Sequence, residues 1–249
     1  MRKDDDLTYI YGKNAVIEAL TTRPDTISKI FLVDKSTGDK HLINLMREAK
    51  IEASHLNEKN LPGRLEGHVS HQGVVAEIST KKLMPSYKDF IDNLEVTDKT
   101  ALLIFGEVQD PQNVGAAIRS AAAFGISGVL VPSHNQAPIN GTVVKVSAGM
   151  AFRVPLVSIK NVNTTIEDLK KKGFWIYGLD GEGETSLPDE QFEQPTVFVI
   201  GNEGQGLRKL TSKVCDTLLS IPIDPKCESM NASASVAVAL YGWSVKKRK

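Results

Sequence analysis

The sequence predicts an α/β protein built from two differently patterned halves, and three features lead there. Apolar runs in the second half, ALLIFGEV, GVLVP, FRVPLVSI, FWIYGL, TVFVIG and LLSIPI, are continuous rather than alternating, as in strands buried on both faces. Helical stretches stand between several of them, which is the pattern of a mostly parallel sheet covered on both sides. The first half instead alternates short helical and strand patterns on the scale of a small α/β module.

Taken in order, GKNAVIEAL reads as a helix, KIFLV as a strand, HLINLMREA as a helix with Leu42, Leu45 and Met46 on one face, and GVVAEI as a strand. STKKLMPSYKDFIDN then combines a polar stretch, a proline and a helical pattern, as a linker does. The expected boundaries are a small domain over residues 1–80, a linker over 81–97 and a larger domain over 98–249.

Charge and composition narrow the function classes only a little. With 30 basic and 30 acidic side chains the formal net charge is zero, which neither favours nor excludes a nucleic-acid partner, because a local basic face can sit inside a balanced total. The ends are asymmetric: Asp4, Asp5 and Asp6 near the start, and Lys246, Lys247, Arg248 and Lys249 at the finish. No run approaches the ~20 apolar residues of a membrane span, and MRKDDDLTY lacks the apolar core of a secretory signal, so a cytoplasmic protein with no membrane partner is expected. Cys215 and Cys227 have no metal-like spacing, and no metal site is expected. His41, His55, His68, His71 and His134 fall outside the motifs below and read as surface or satisfied polar positions.

In open parallel sheets ligands bind at the carboxyl ends of strands. Three strand ends here are rich in polar or small residues. In FGEVQDPQNVGAAIRSAAAFG, Asp110-Pro111 makes a turn, Asn113 is a candidate cap, and Arg119 stands in an otherwise small, apolar helix. In IPIDPKCESMNASASVAVALYGW, Ser229 and Asn231 precede an apolar helix, where they either cap it or reach a ligand. The third end is GNEGQGLR, residues 201–208. Gly201 and Gly206 have the outer spacing of a P-loop, but Leu207-Arg208 stands where Lys and Ser/Thr should hold phosphate and magnesium. As a dinucleotide fingerprint Gly204 and Gly206 fit, but Lys209 occupies the third glycine position, and Glu203 would repel a pyrophosphate.

The ordered series DPQNVGAAIRSAAAFG, VIGNEGQGL and IPIDPKCESMNASASVAVAL resembles the three motifs of the SpoU (TrmH-type) RNA ribose 2′-O-methyltransferases of the SPOUT superfamily. The likeness spans residues 98–245, and YGKNAVIEAL with HQGVVAEI resembles the small substrate-binding domain often found before it. Within the family it is nearest the 23S rRNA guanosine 2′-O-methyltransferases. The resemblance implies a SPOUT-type, mostly parallel sheet with a deep C-terminal trefoil knot, S-adenosylmethionine as cofactor, RNA as partner and a homodimer formed through the C-terminal domain. The RNA would be 23S rRNA or a ribosomal precursor. A tRNA-directed or antibiotic-resistance methylase and a non-catalytic RNA-binding or ribosome-assembly protein of the same fold are the alternatives.

By the same resemblance Gly201, Asn202, Glu203, Gly204 and Gly206 would wrap the backbone around adenosine, and Ile221, Ser229 and Met230 would line the cofactor pocket. Arg119 matches the catalytic arginine. Glu203 would orient it, while Asn113, Ser229 and Asn231 would hold the ribose and both reactants. One departure stands out: in the third motif Pro225 takes a glycine place, removing an amide donor and fixing φ.

Overall fold

The computed structural model describes residues 6–33, 39–57 and 71–247; Asp4, Asp5, His68, Arg248 and Lys249 lie outside them. In chain order the elements are β1 (Leu7–Tyr11), α1 (Lys13–Thr22), β2 (Ile27–Leu32), α2 (Lys40–Glu48), β3 (Ala53–His55), β4 (Val74–Ser79), α3 (Thr80–Leu83) and α4 (Tyr87–Ile91). They continue with β5 (Ala101–Phe105), α5 (Pro111–Phe124), β6 (Gly128–Pro132), α6 (Gly141–Val146), β7 (Leu156–Ile159), α7 (Val162–Lys171) and β8 (Trp175–Leu179). The last are β9 (Thr185–Ser186), β10 (Thr196–Ile200), α8 (Lys209–Val214), β11 (Thr217–Ser220) and α9 (Ala232–Lys247). Two compact units result, one from Met1–Met84 with Ile139–Arg153, the other from Pro85–Pro138 with Val154–Lys249.

In the first unit a four-stranded sheet runs in the order β1-β4-β2-β3, with β1 and β2 antiparallel to β4 and β3 parallel to β2. Burial along β2 gives the reason: Ile27, Ile30 and Leu32 are buried while Ser28 and Lys29 are exposed, so one face must be covered. Val16, Ala19 and Leu20 of α1 and Leu42 and Met46 of α2 are buried as well, in keeping with the helical face read there. Strand β1, absent from the sequence reading, pairs Leu7 with Ser79 and Tyr11 with Val75. The segment Ile139–Arg153, expected within the 98–249 domain, packs instead with this unit. Thr142 Oγ1 lies 3.1 Å from the Tyr11 hydroxyl, Lys145 Nζ sits 5.5 Å from that ring's centre, and Arg153 pairs with Glu18.

In the second unit seven strands, all parallel, take the order β7-β6-β5-β10-β8-β11-β9. Strands β5, β6 and β10 are buried at every residue, which explains why they read as unbroken apolar runs. From β5 the chain moves outward through β6 to β7, and then crosses back to build β8 and β10 on the other side of β5. Right-handed crossovers in opposite directions place α5 and α7 on opposite faces. Helix α5 pairs with α9, and α7 with α8. Helix α5 starts at Pro111, with the Asp110 side chain accepting from the Gln112 amide at 2.9 Å, and ends at Gly125 in the left-handed region. Small residues of α5 suit its packing against α9; Val114, Ala117, Ile118 and Ala121 of α5 and Val236, Ala239, Leu240 and Trp243 of α9 are buried.

Candidate active site

The site grows out of the carboxyl ends of β10, β8 and β11. After Ile200 the chain closes a small ring: the Asn202 and Gly206 backbones exchange N–H to carbonyl hydrogen bonds of 2.9 Å each way. The Asn202 side chain fills the ring, its Oδ1 accepting from the amides of Gly204 (2.9 Å) and Gln205 (3.2 Å), while its Nδ2 donates to the Glu107 carbonyl at 3.1 Å. Two glycines are obligatory. A Cβ on Gly201 would fall 2.2 Å from the Gly206 carbonyl, and Gly206 holds φ at 65°. Gly204 is different: an added Cβ would meet only Asn202 Oδ1, at 3.6 Å.

Beside this ring opens a cleft of about 460 Å³. Gly201, Asn202, Glu203, Gly204, Gly206, Ile221, Ser229 and Met230 all line it, so the structure brings together every residue assigned to cofactor binding from sequence. Ile200, Leu219, Ile221 and Met230 make an apolar wall. The charged side chains in the lining are Asp180, Glu182, Glu203 and Glu228, with no Lys or Arg among them. An anionic ligand such as a pyrophosphate is therefore disfavoured, and a cationic one favoured. Asp180, Gly181 and Glu182 were missed in the sequence reading. Their signal was available: β8 ends in LDGEG, a fourth strand end of the kind that supplied the other three. Among the described residues no group of three or more His, Cys, Asp and Glu side chains is placed to hold a metal ion.

A polar chain ties the three motifs together below the cleft. Glu203 Oε1 accepts from the Asp110 amide (3.0 Å) and from Asn113 Nδ2 (3.1 Å), and Oε2 accepts from the Gln109 amide (3.1 Å). Burial works against the charge on Glu203, yet its own amide, those of Asp110 and Gln109, and the Asn113 side chain hold the carboxyl below its ordinary value. Asn113, itself buried, accepts from Asn231 Nδ2 at 2.9 Å through its Oδ1. Asn231 then caps α9, its Oδ1 accepting from the amides of Ser233 (2.9 Å) and Ala234 (3.2 Å). Of the two readings of Asn231, the structure shows the cap, and the side chain is absent from the cleft lining.

This network departs from the sequence expectation in one respect. Glu203 spends its carboxylate on the turn before α5 and on Asn113, not on orienting Arg119. Arg119 stands exposed on the outer side of α5 and makes no hydrogen bond or ion pair among the described residues. It is absent from the cleft lining, as is Asn113. Ser229 is exposed at the cleft with no hydrogen-bond partner among the described residues.

Comparison with known proteins fits this arrangement. Residues 100–241 match the SpoU rRNA Methylase family, and residues 9–84 match the RNA 2′-O ribose methyltransferase substrate binding family. The chain belongs to the SpoU rRNA methylase family. It is 37% identical over 237 residues to the 23S rRNA (guanosine-2′-O-)-methyltransferase RlmB of Xanthomonas campestris, covering 94% of each chain. To the RlmB of Shewanella oneidensis it is 35% identical over 244 residues, covering 97% of each. Among solved structures, the SpoU methyltransferase AviRb from Streptomyces viridochromogenes, in complex with AdoMet, superposes with a TM-score of 0.83 at 25% identity, over 100% of this chain and 93% of that one.

Proposed function

We propose that this protein transfers a methyl group from S-adenosylmethionine to a ribose 2′-hydroxyl of RNA, and that the target is a guanosine of 23S rRNA. The observation that carries the reading is the cleft in which all eight cofactor positions meet, seated on a ring that only glycine at 201 permits. The full-length likeness to RlmB proteins supports the choice of 23S rRNA.

The residues fit the cofactor. Apolar side chains at Ile221 and Met230 suit an adenine ring, and the acidic lining suits a ligand with a sulfonium and an ammonium group. When bound, S-adenosylmethionine supplies an activated methyl on a positively charged sulfur. What the chain supplies is position and electrostatics. The Glu203–Asn113–Asn231 chain locks the two strand-end loops and the start of α9 into one frame, so that groups on all three are held at fixed spacing. Ser229, open at the cleft, is free to hold the ribose. A guanidinium is a hydrogen-bond donor with no acceptor and does not serve as a general base, so Arg119 is not assigned that part. Its role in this reading is to stabilise the alkoxide that develops on the 2′-oxygen and to grip a neighbouring phosphate. Its uncommitted side chain suits an RNA partner.

The reading extends to the trefoil knot, to a cytoplasmic location and to a homodimer. For the dimer the support is a strip on α9: Val238, Tyr241 and Val245 are exposed at 38%, 59% and 39%, with Phe124 of α5 edge-on to Tyr241. No described helix is long and apolar enough to cross a membrane. The decisive experiment maps ribose methylations in total RNA from a deletion strain and from the strain complemented with the wild-type gene. One guanosine of 23S rRNA should lose its methyl and regain it; an unchanged map would overturn the reading.

A further inference from the structure

A second cleft opens on the other side of the Gly201–Arg208 loop, at the carboxyl ends of β5, β6 and β7. Its volume is about 200 Å³, below the ~300 Å³ at which pockets begin to enclose a whole drug-sized ligand. The charges in its lining reverse those of the cofactor cleft. Lys160 follows β7, Arg208 follows the ring after β10, and His134 follows β6; the sole acid is Glu107, after β5. Glu107 is committed, pairing with Arg208 Nη2 at 2.6 Å through its Oε2. That pairing uses one nitrogen of a side chain that is 64% exposed, which leaves the other guanidinium nitrogen donors open to a ligand. Lys160 is exposed and has no partner among the described residues.

The walls are built rather than fortuitous. Gln109 Nε2 donates to the Asn135 carbonyl at 2.6 Å, the Val108 amide donates to Gln136 Oε1 at 2.9 Å, and the Ala137 amide donates to the Val108 carbonyl at 3.0 Å. These bonds join the loops after β5 and β6. On the opposite wall the buried Thr211 hydroxyl donates to Asn163 Oδ1 at 2.9 Å, which fixes that amide and leaves its Nδ2 without an acceptor among the described residues. A small cleft thus holds a guanidinium, an ammonium and a carboxamide donor delivered by separate strand ends. It lies at the reversal of strand order beside β5, where open α/β sheets bind ligands.

We infer that this cleft is a subsite for a phosphodiester of the RNA substrate, away from the reacting nucleotide. The inference rests on the proposed methyltransferase reading. A single phosphate fits the volume and the donors, and a fork-shaped guanidinium beside an ammonium matches its oxygens. A neutral or cationic partner would leave Lys160 uncompensated, since Glu107 already balances Arg208.

The test uses the full chain and deproteinised 23S rRNA from the deletion strain, with Lys160→Ala/Arg208→Ala compared with wild type. Expected are a tenfold or greater rise in KM for RNA, kcat within about twofold, unchanged S-adenosylmethionine affinity, and a salt slope of RNA binding shallower by roughly 1 to 2. Glu107→Gln provides a check of opposite sign, since removing the acid should tighten RNA binding. Unchanged KM and salt slope in the double variant would overturn the inference. So would loss of cofactor affinity or of kcat alone. Competition by inorganic phosphate or a free nucleotide at micromolar concentration would overturn it too, marking a small-molecule site. Because RNA binding is read separately from turnover, a wild-type protein that binds RNA but transfers no methyl would contradict the proposed reaction and leave the subsite standing.

Discussion

The two clefts share the Gly201–Arg208 loop as a wall and differ in nearly everything else. One is larger, with an apolar floor and four carboxylates and no basic side chain; the other is smaller, with Lys160 and Arg208 against a single, already paired acid. A methyl donor that carries positive charge and an RNA that carries negative charge need such a division. If both signs met in one cleft, each ligand would be repelled by the residues meant for the other. In the proposed reading the difference makes the loop a partition: its glycine end shapes the cleft assigned to the cofactor, and Arg208 at its far end lines the cleft assigned to RNA.

The largest effect that would sharpen this comparison comes from a residue in neither lining. Arg119→Ala should lose roughly 10²-fold or more in single-turnover methyl transfer with RNA and cofactor saturating, the scale of removing one preorganised stabiliser of developing charge. Its S-adenosylmethionine affinity should stay near wild type. Arg119→Lys should also fail, because an ammonium does not reproduce a planar fork. Near-wild-type turnover in the alanine variant would leave the outer side of α5 without a catalytic role.

A smaller effect tests the acidic side directly. Asp180→Asn with Glu228→Gln should weaken S-adenosylmethionine binding by roughly threefold to tenfold, the sum of two exposed charge interactions. S-adenosylhomocysteine, which lacks the sulfonium charge, should lose much less. The Asn at 180 keeps an oxygen for the Glu182 amide, which donates to Asp180 Oδ1 at 3.0 Å, so the loop is preserved. Equal losses for both ligands by calorimetry would show that charge does not set the preference.

The smallest effect concerns Glu203. Its carboxyl is held below the ordinary 4.5, so its contribution to stability is full above about pH 4.5 and is lost as pH falls through the lowered value. Thermal melts should therefore show Glu203→Gln less stable than wild type at pH 7, with the gap narrowing below pH 4.5. A gap that widened in acid would mean that the neutral carboxyl is the favoured form.

Much of this was legible in the sequence because the relevant signals are local. Continuous apolar runs marked β5, β6, β8 and β10, and polar or glycine-rich strand ends marked the loops at Asn113, Gly201 and Ser229. Short elements escaped: β3 and β9 have three and two residues, too few to show a period. The place of Ile139–Arg153 with the first unit was hidden as well, because it depends on Tyr11 and Glu18, more than a hundred residues away in sequence. For this reason deleting residues 1–80 would also strip the surface on which that segment packs. The task of Glu203 was misread for a similar reason. Its partners are two backbone amides and the Asn113 side chain, brought together only by the meeting of two strand ends, and a backbone amide carries no sequence signature.

The most direct test of the partition is the titration of S-adenosylmethionine, in chelator, into the wild-type protein and Gly201→Ala. The wild type should bind one equivalent per chain without any divalent ion. The variant should remain folded by circular dichroism but lose most of its affinity, because its Cβ would lie 2.2 Å from the Gly206 carbonyl and force the ring open. A wild type that needs magnesium, or a Gly201→Ala protein that binds as tightly as its parent, would contradict the account.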